Sequence, residues 1–144
     1  MSNPRRPAAG AQAGFTLVEA LIAMVILSFG LIAVTNLMLV AATSNTVANQ
    51  GTAAASIASQ QMEQLKALGF ADPGLTAGGD LEADAAGFST DVLVPGVGTI
   101  RTRWLITDID PTTKYLVVRA EGTGVLAGPR SRAEFTTFRV RGPQ

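Results

Sequence analysis

The pattern of apolar and polar positions changes twice along the chain. Residues 14–39 read GFTLVEALIAMVILSFGLIAVTNLML, and from Ala20 to Leu39 no residue is charged and none is proline. A helix rises about 1.5 Å per residue, so about twenty apolar residues cross a hydrocarbon core of about 30 Å. This stretch therefore predicts a membrane-spanning helix. Its polar members, Ser28, Thr35 and Asn36, are types able to bond back to a helix carbonyl, and Gly30 only lowers propensity locally.

Beyond Leu39 the spacing predicts that the helix continues and becomes amphipathic. Ala54, Ile57, Ala58, Met62, Leu65 and Leu68 recur at three- and four-residue intervals, with Asn49, Gln60, Glu63 and Lys66 on the other side. Glu63 and Lys66 form a helix-surface pair, Gly69 is the expected C-cap and Pro73 the stop signal. Phe15 to Leu68 would make a rod of about 80 Å. Gly51 and the stretch Thr43-Ser44-Asn45-Thr46 are where it could bend, and a separate anchor and domain helix is the alternative.

From Gly87 the period becomes two. Strands are expected over Phe88–Val94, Thr99–Ile109, Lys114–Glu121 and Arg132–Val140, separated by turn residues at Pro95-Gly96, Asp110-Pro111 and from Gly122 through Pro129. Ile100, Trp104 and Ile106 should share a face opposite Arg101, Arg103 and Leu105, and Phe138 and Val140 a face opposite Arg139 and Arg141. The apolar face should pack on Ala54, Ile57, Met62 and Leu65. The expected fold is α+β: a long N-terminal helix packed against a small antiparallel sheet. Its segments are a leader (1–14), a transmembrane half of the helix (15–42), an amphipathic half (43–70), an irregular connector (71–86) and the sheet (87–144).

Composition narrows the function. With 144 residues, there is room for one domain. The chain has no cysteine and no histidine, which removes disulfides, thiol nucleophiles and the commonest general bases and zinc ligands. Formal charge is zero, and without Arg5 and Arg6 it becomes −2, nine basic against eleven acidic side chains. Arg101, Arg103, Arg119, Arg130, Arg132, Arg139 and Arg141 concentrate positive charge on the sheet. However, no aromatic residues interleave with them as base stacking requires, and a solvated face with cross-strand acid partners explains them. Asp108 and Asp110 flank Ile109 with Glu121 nearby in sequence, but Asp110-Pro111 reads as a turn, and no phosphate-cradling glycine loop appears. These features argue against an enzyme, a cofactor and a nucleic-acid partner.

Two features separate the apolar run from an ordinary anchor. Glu19 places a carboxylate inside it, at a cost of about 2.5–3.5 kcal/mol on insertion scales, and an acid at such a position marks a functional site. Ahead of it stands a short leader with Pro4, Arg5, Arg6 and Pro7, whose arginines hold the N-terminus inside by the positive-inside rule. Ala41 and Ala42 follow the apolar run, so spacing alone leaves ordinary signal cleavage open.

The run Gly14-Phe15-Thr16-Leu17-Val18-Glu19, after a basic leader and before an unbroken apolar helix, resembles the type III signal of type IV prepilins and type II secretion pseudopilins. That resemblance implies cleavage between Gly14 and Phe15 by a membrane prepilin peptidase, N-methylation of Phe15 by the same enzyme, and retention of the helix. It also implies that Glu19 pairs with the Phe15 amine of a neighbouring subunit. Each charge would then lower the other's desolvation cost. The implied partners are the prepilin peptidase, other pilins, the inner-membrane assembly platform and the lipid bilayer. The implied location is a single-pass inner-membrane protein with its C-terminal domain in the periplasm, then a pilus or pseudopilus.

Finer likeness, at residues 20–27, at Gly30-Leu31 and in Ser56-Ile57-Ala58-Ser59-Gln60-Gln61-Met62-Glu63-Gln64-Leu65, is to minor pilins of the type IV pilus modification class. A type II secretion pseudopilin is the runner-up, and an adhesin or DNA-binding tip protein the third reading. Some pseudopilins bind calcium, and Asp80, Glu82, Asp84 and Asp91 stand at EF-hand-like offsets. But Ala85 occupies the position that demands glycine and Asp91 replaces the final glutamate. A solvated acidic loop is the simpler expectation.

Overall fold

The computed structural model describes residues 14–124 and 128–142; the leader residues Pro4, Arg5, Arg6 and Pro7 lie outside these. Helix α1 runs unbroken over Leu17–Ala67, through Thr43–Thr46 and Gly51. Thr46 and Thr52 hydroxyls donate to the carbonyls of Ala42 and Ala48, so the polar middle stays within the helical hydrogen-bond scheme. The chain divides into two compact units, 1–40 and 41–144. In the first, every described residue is exposed, and α1 contains an 18-residue window of mean hydropathy 2.6 with none of it buried. By length and composition it can cross a membrane.

In the second unit the C-terminal part of α1 lies on a five-stranded antiparallel sheet. Its strands are β1 (Gly78–Gly79), β2 (Ser89–Val94), β3 (Gly98–Asp110), β4 (Thr113–Gly122) and β5 (Ala133–Val140), in the order β1-β3-β4-β5 with β2 also pairing β3. The amphipathic spacing on α1 is realised: Ala54, Ala58, Met62 and Leu65 are buried, with Ile57 and Leu68 packed at the margin. They meet Ile100, Ile106, Leu116, Val118 and Ala120 of the sheet and Leu75 of a 3-10 turn, Pro73–Leu75. Alanines 54, 58 and 120 are fully buried in this core. Glu63 and Lys66 pair at 2.8 Å.

The turns follow their residues. Pro95 presets one dihedral and Gly96, at φ +77°, supplies the next, closed by the Val97 N–H on the Val94 carbonyl. Between β3 and β4, the Asp110 carboxylate accepts from the Thr112 N–H and hydroxyl, and the register shifts between Asp108 and Asp110. That bulge leaves Ile109 half-exposed and ends any common face for the two aspartates.

Three local expectations are corrected. Phe138 and Val140 do not pack on the helix; they are 63% and 61% exposed on the far face of the sheet. The register decides this: Tyr115 pairs with Phe138 and Leu116 with Thr137, and because Leu116 faces α1, so do Thr137 and Arg139. Gly69 does not take a positive φ, and the helix end is met instead by Arg139, which donates to the Leu68 carbonyl at 3.0 Å. The connector also holds regular structure. Gly78 and Gly79 form β1 against Ile106 and Leu105, a contact that only glycine allows, because a Cβ on Gly79 would stand 2.1 Å from the Trp104 carbonyl.

Candidate functional site

The first candidate site is the start of α1. Gly14, Phe15 and Thr16 precede the helix without regular structure, and all are exposed, Phe15 to 82%. A Cβ on Gly14 would meet nothing within 4 Å, so glycine is not required there by packing. Thr16 is the N-cap. Its hydroxyl accepts from the Glu19 N–H at 3.2 Å and its carbonyl from the Ala20 N–H at 3.1 Å. Thr16 and Glu19 thus stand in the Ser/Thr-x-x-Glu capping spacing, which is legible in the sequence. Glu19 lies in the first turn, where the unpaired N–H groups carry partial positive charge that favours a carboxylate. The Gly14–Phe15 bond and the Glu19 side chain therefore lie four residues apart on opposite sides of a cap that sets where the helix begins.

The second candidate group is the carboxylates of the connector. Asp80, Glu82, Asp84 and Asp91 do not converge; among the described residues no three such groups stand close enough to hold a metal ion. Each has another role. Asp91 accepts two hydrogen bonds from Arg101, at 2.8 and 2.9 Å, and these hold its carboxyl below the usual range. Asp84 pairs with Arg103 at 2.7 Å and Arg101 at 3.3 Å. Glu82 is bonded by Arg119, whose hydrogen bond and charge lower its pKa. Asp80 turns its own loop by accepting from the Glu82 N–H, and backbone N–H groups at Glu82 and Ala83 lower it.

Where these acids lie follows from the register. Arg103 and Arg119 are directly opposed across β3 and β4, a like-charge pair that is unfavourable by itself. Both donate to the Leu81 carbonyl, and Glu82, Asp84, Glu121 and Glu134 supply opposite charge around them. Glu121 also accepts from Arg132. Residues 80–84 are thus drawn over the outer face of the sheet. For Arg101, Arg103, Arg119 and Arg132 this is the expected acid-partnered face, completed by a loop as well as by neighbouring strands; Arg139 instead donates to the Leu68 carbonyl and Arg141 stands over the Phe70 ring. Of the carboxylates grouped in sequence near 108–121, Asp108 pairs with Lys114, Asp110 holds its turn and Glu121 joins the arginine cluster, so the three do not form one site.

Sequence reasoning missed Thr16, Gly79 and Gln50. Gln50 is buried against the β2–β3 turn, its Nε2 donating to the Val97 carbonyl at 3.0 Å. Thr16 had a signal in the capping spacing; nothing in the local sequence marks Gln50 or Gly79.

Comparison with known proteins bears on the first site. No curated protein and no solved structure matches the chain. Residues 10–35, which span Gly14, Phe15, the Thr16 cap, Glu19 and most of the exposed apolar part of α1, match the family model described as the prokaryotic N-terminal methylation motif, so the chain carries a prepilin signal of the type IV pilin kind.

Proposed function

We propose that the protein is a minor pilin, cut between Gly14 and Phe15, N-methylated on Phe15, and incorporated into, or priming, a type IV pilus through α1. The observation that carries this reading is the methylation motif at residues 10–35, continuous with an apolar stretch of α1 that is exposed throughout residues 17–40. An apolar surface of that extent needs lipid first and protein neighbours afterwards. The chain is then a substrate of the prepilin peptidase and a structural subunit, not a catalyst. The domain from Ala41 onward projects into the periplasm until assembly. Glu19 pairs with the freed Phe15 amine of a neighbour, setting register while the remaining apolar face associates laterally. The likeness at residues 20–27, Gly30-Leu31 and 56–65 to the pilus modification class supports a minor rather than a major subunit.

Intact mass and N-terminal peptide analysis of the protein from its native membrane test the reading. The expected terminus is methylated Phe15; Met1, Ser2 or a terminus after Ala42 would overturn it. Gly14→Leu should leave the precursor uncut. Glu19→Ala should be cut but fail to recover pilus partners in a pull-down, and normal recovery would refute the pairing. In a deletion strain, lost enzyme secretion with piliation intact would reassign the subunit to a type II secretion pseudopilus.

A further inference from the structure

Three polar side chains lie in the apolar part of α1, and the structure treats them differently. The Ser28 hydroxyl donates to the Met24 carbonyl at 2.7 Å and the Thr35 hydroxyl to the Leu31 carbonyl at 2.9 Å. Both are satisfied within their own helix and need no neighbour. Asn36, expected to behave likewise, does not: among the described residues its carboxamide finds no hydrogen-bond partner. An amide holds two donors and an acceptor, and hydrocarbon offers it none of the partners that water would.

Asn36 also occupies a particular place on the surface. Val25, Phe29, Ile32, Asn36 and Leu39 follow one another at steps of four, three, four and three, the spacing of a left-handed helix–helix seam. The four apolar members are 54–69% exposed. Beside them Ser28, Ile32, Thr35 and Asn36 line a shallow groove of about 380 Å³. A lone polar residue within an otherwise apolar seam is the arrangement that fixes register in coiled coils.

We propose that this seam pairs in the bilayer with the same seam on a second copy of the chain, Asn36 amide to Asn36 amide. Depth argues for a second copy. Identical chains insert in one direction with one apolar run, so their Asn36 residues come to the same level without adjustment. A carboxamide is donor and acceptor at once, so two of them satisfy each other, whereas a different helix would need a polar group placed at that depth. The pairing rests on the membrane-anchored reading above and adds a parallel dimer that forms before assembly. Its specificity comes from one amide pair, with close packing along the seam supplying the rest.

The test is energy transfer between donor- and acceptor-labelled copies of the full chain in phosphatidylethanolamine–phosphatidylglycerol vesicles. The chain has no cysteine, so Gln64→Cys, at an exposed position, gives a single label site. Transfer should rise with the protein-to-lipid ratio. Asn36→Leu should move the midpoint roughly 3- to 20-fold toward higher ratios, the span measured for hydrogen bonds between membrane helices. Asn36→Gln should largely restore it and Ser28→Ala should leave it within about twofold. Leucine suits lipid better than asparagine, so failed insertion would not explain the loss. No transfer in the parent chain, or transfer unmoved by Asn36→Leu, overturns the pairing. If the cellular protein ends at methylated Phe15 while vesicles show no transfer, the pairing fails and the filament reading stands. Transfer in vesicles with an unprocessed cellular terminus has the opposite meaning.

Discussion

Gly79→Ala should be among the most damaging small substitutions in the sheet domain. Gly79 sits at φ +96°, where an L side chain is strained, and a Cβ there would lie 2.1 Å from the Trp104 carbonyl oxygen and 3.0 Å from the Phe88 ring. The strain costs about 1–3 kcal/mol. The clash cannot be relieved by a rotamer because its partner is backbone, so β1 must leave β3, forfeiting pairing at Gly78–Ile106 and Gly79–Leu105. One lost hydrogen bond adds about 1 kcal/mol, for a total of about 2–4 kcal/mol. Gly87 is the internal control. Its φ is +80° but a Cβ there meets nothing within 4 Å, so Gly87→Ala should cost only the backbone term, about 1–2 kcal/mol. Urea unfolding of the full chain in detergent micelles, followed by the fluorescence of Trp104, the only tryptophan, reads both variants on the strand in question. If Gly79→Ala costs no more than Gly87→Ala, the close approach of β1 to β3 is not a real constraint.

Leu116→Ala, at a position with no exposure, should cost about 2–5 kcal/mol by the same assay, whereas Leu93→Ala, 74% exposed, should stay within about 0.5 kcal/mol. Arg103→Ala removes the partner of Glu121 and Asp84 and a donor to Leu81, and should cost about 1.5–3 kcal/mol with faster proteolysis of residues 80–86. A cost below about 0.5 kcal/mol would mean the connector is not held by this cluster. The carboxyls of Glu82, held by Arg119, Asp91, held by Arg101, Asp80, held by loop N–H groups, and Asp110, held by Thr112, all titrate below their ordinary values. Their contribution is therefore full above about pH 5 and is lost as pH falls through about 4 and below. Stability measured from pH 7 to pH 3 should be flat and then fall; a rise on acidification would refute the sign.

Elements that depend on local spacing are written in the chain itself. The uncharged run from Ala20 to Leu39 sets a membrane-length helix, because its length and polarity are properties of the segment alone. The three- and four-residue recurrence of Ala54, Ala58, Met62 and Leu65 sets the buried face, and alternation around Ile100, Trp104 and Ile106 sets the inner face of β3. The methylation motif at residues 10–35 was legible for the same reason, being contiguous along the chain.

Tertiary structure decided what depends on pairing partners. Phe138 and Arg139 exchange faces relative to the apolar expectation because β4 is apolar on both sides, with Leu116, Val117 and Val118 all buried, so hydrophobicity alone could not choose a register for β5. Asp80, Glu82, Asp84 and Asp91 look like a ligand series in one dimension, yet the opposition of Arg103 and Arg119 distributes them as counter-charges. Gly79 looks like a flexible linker residue until the Trp104 carbonyl is seen against it. Spacing along the chain records what a segment can bury, and only the fold supplies the strand or charge it must face.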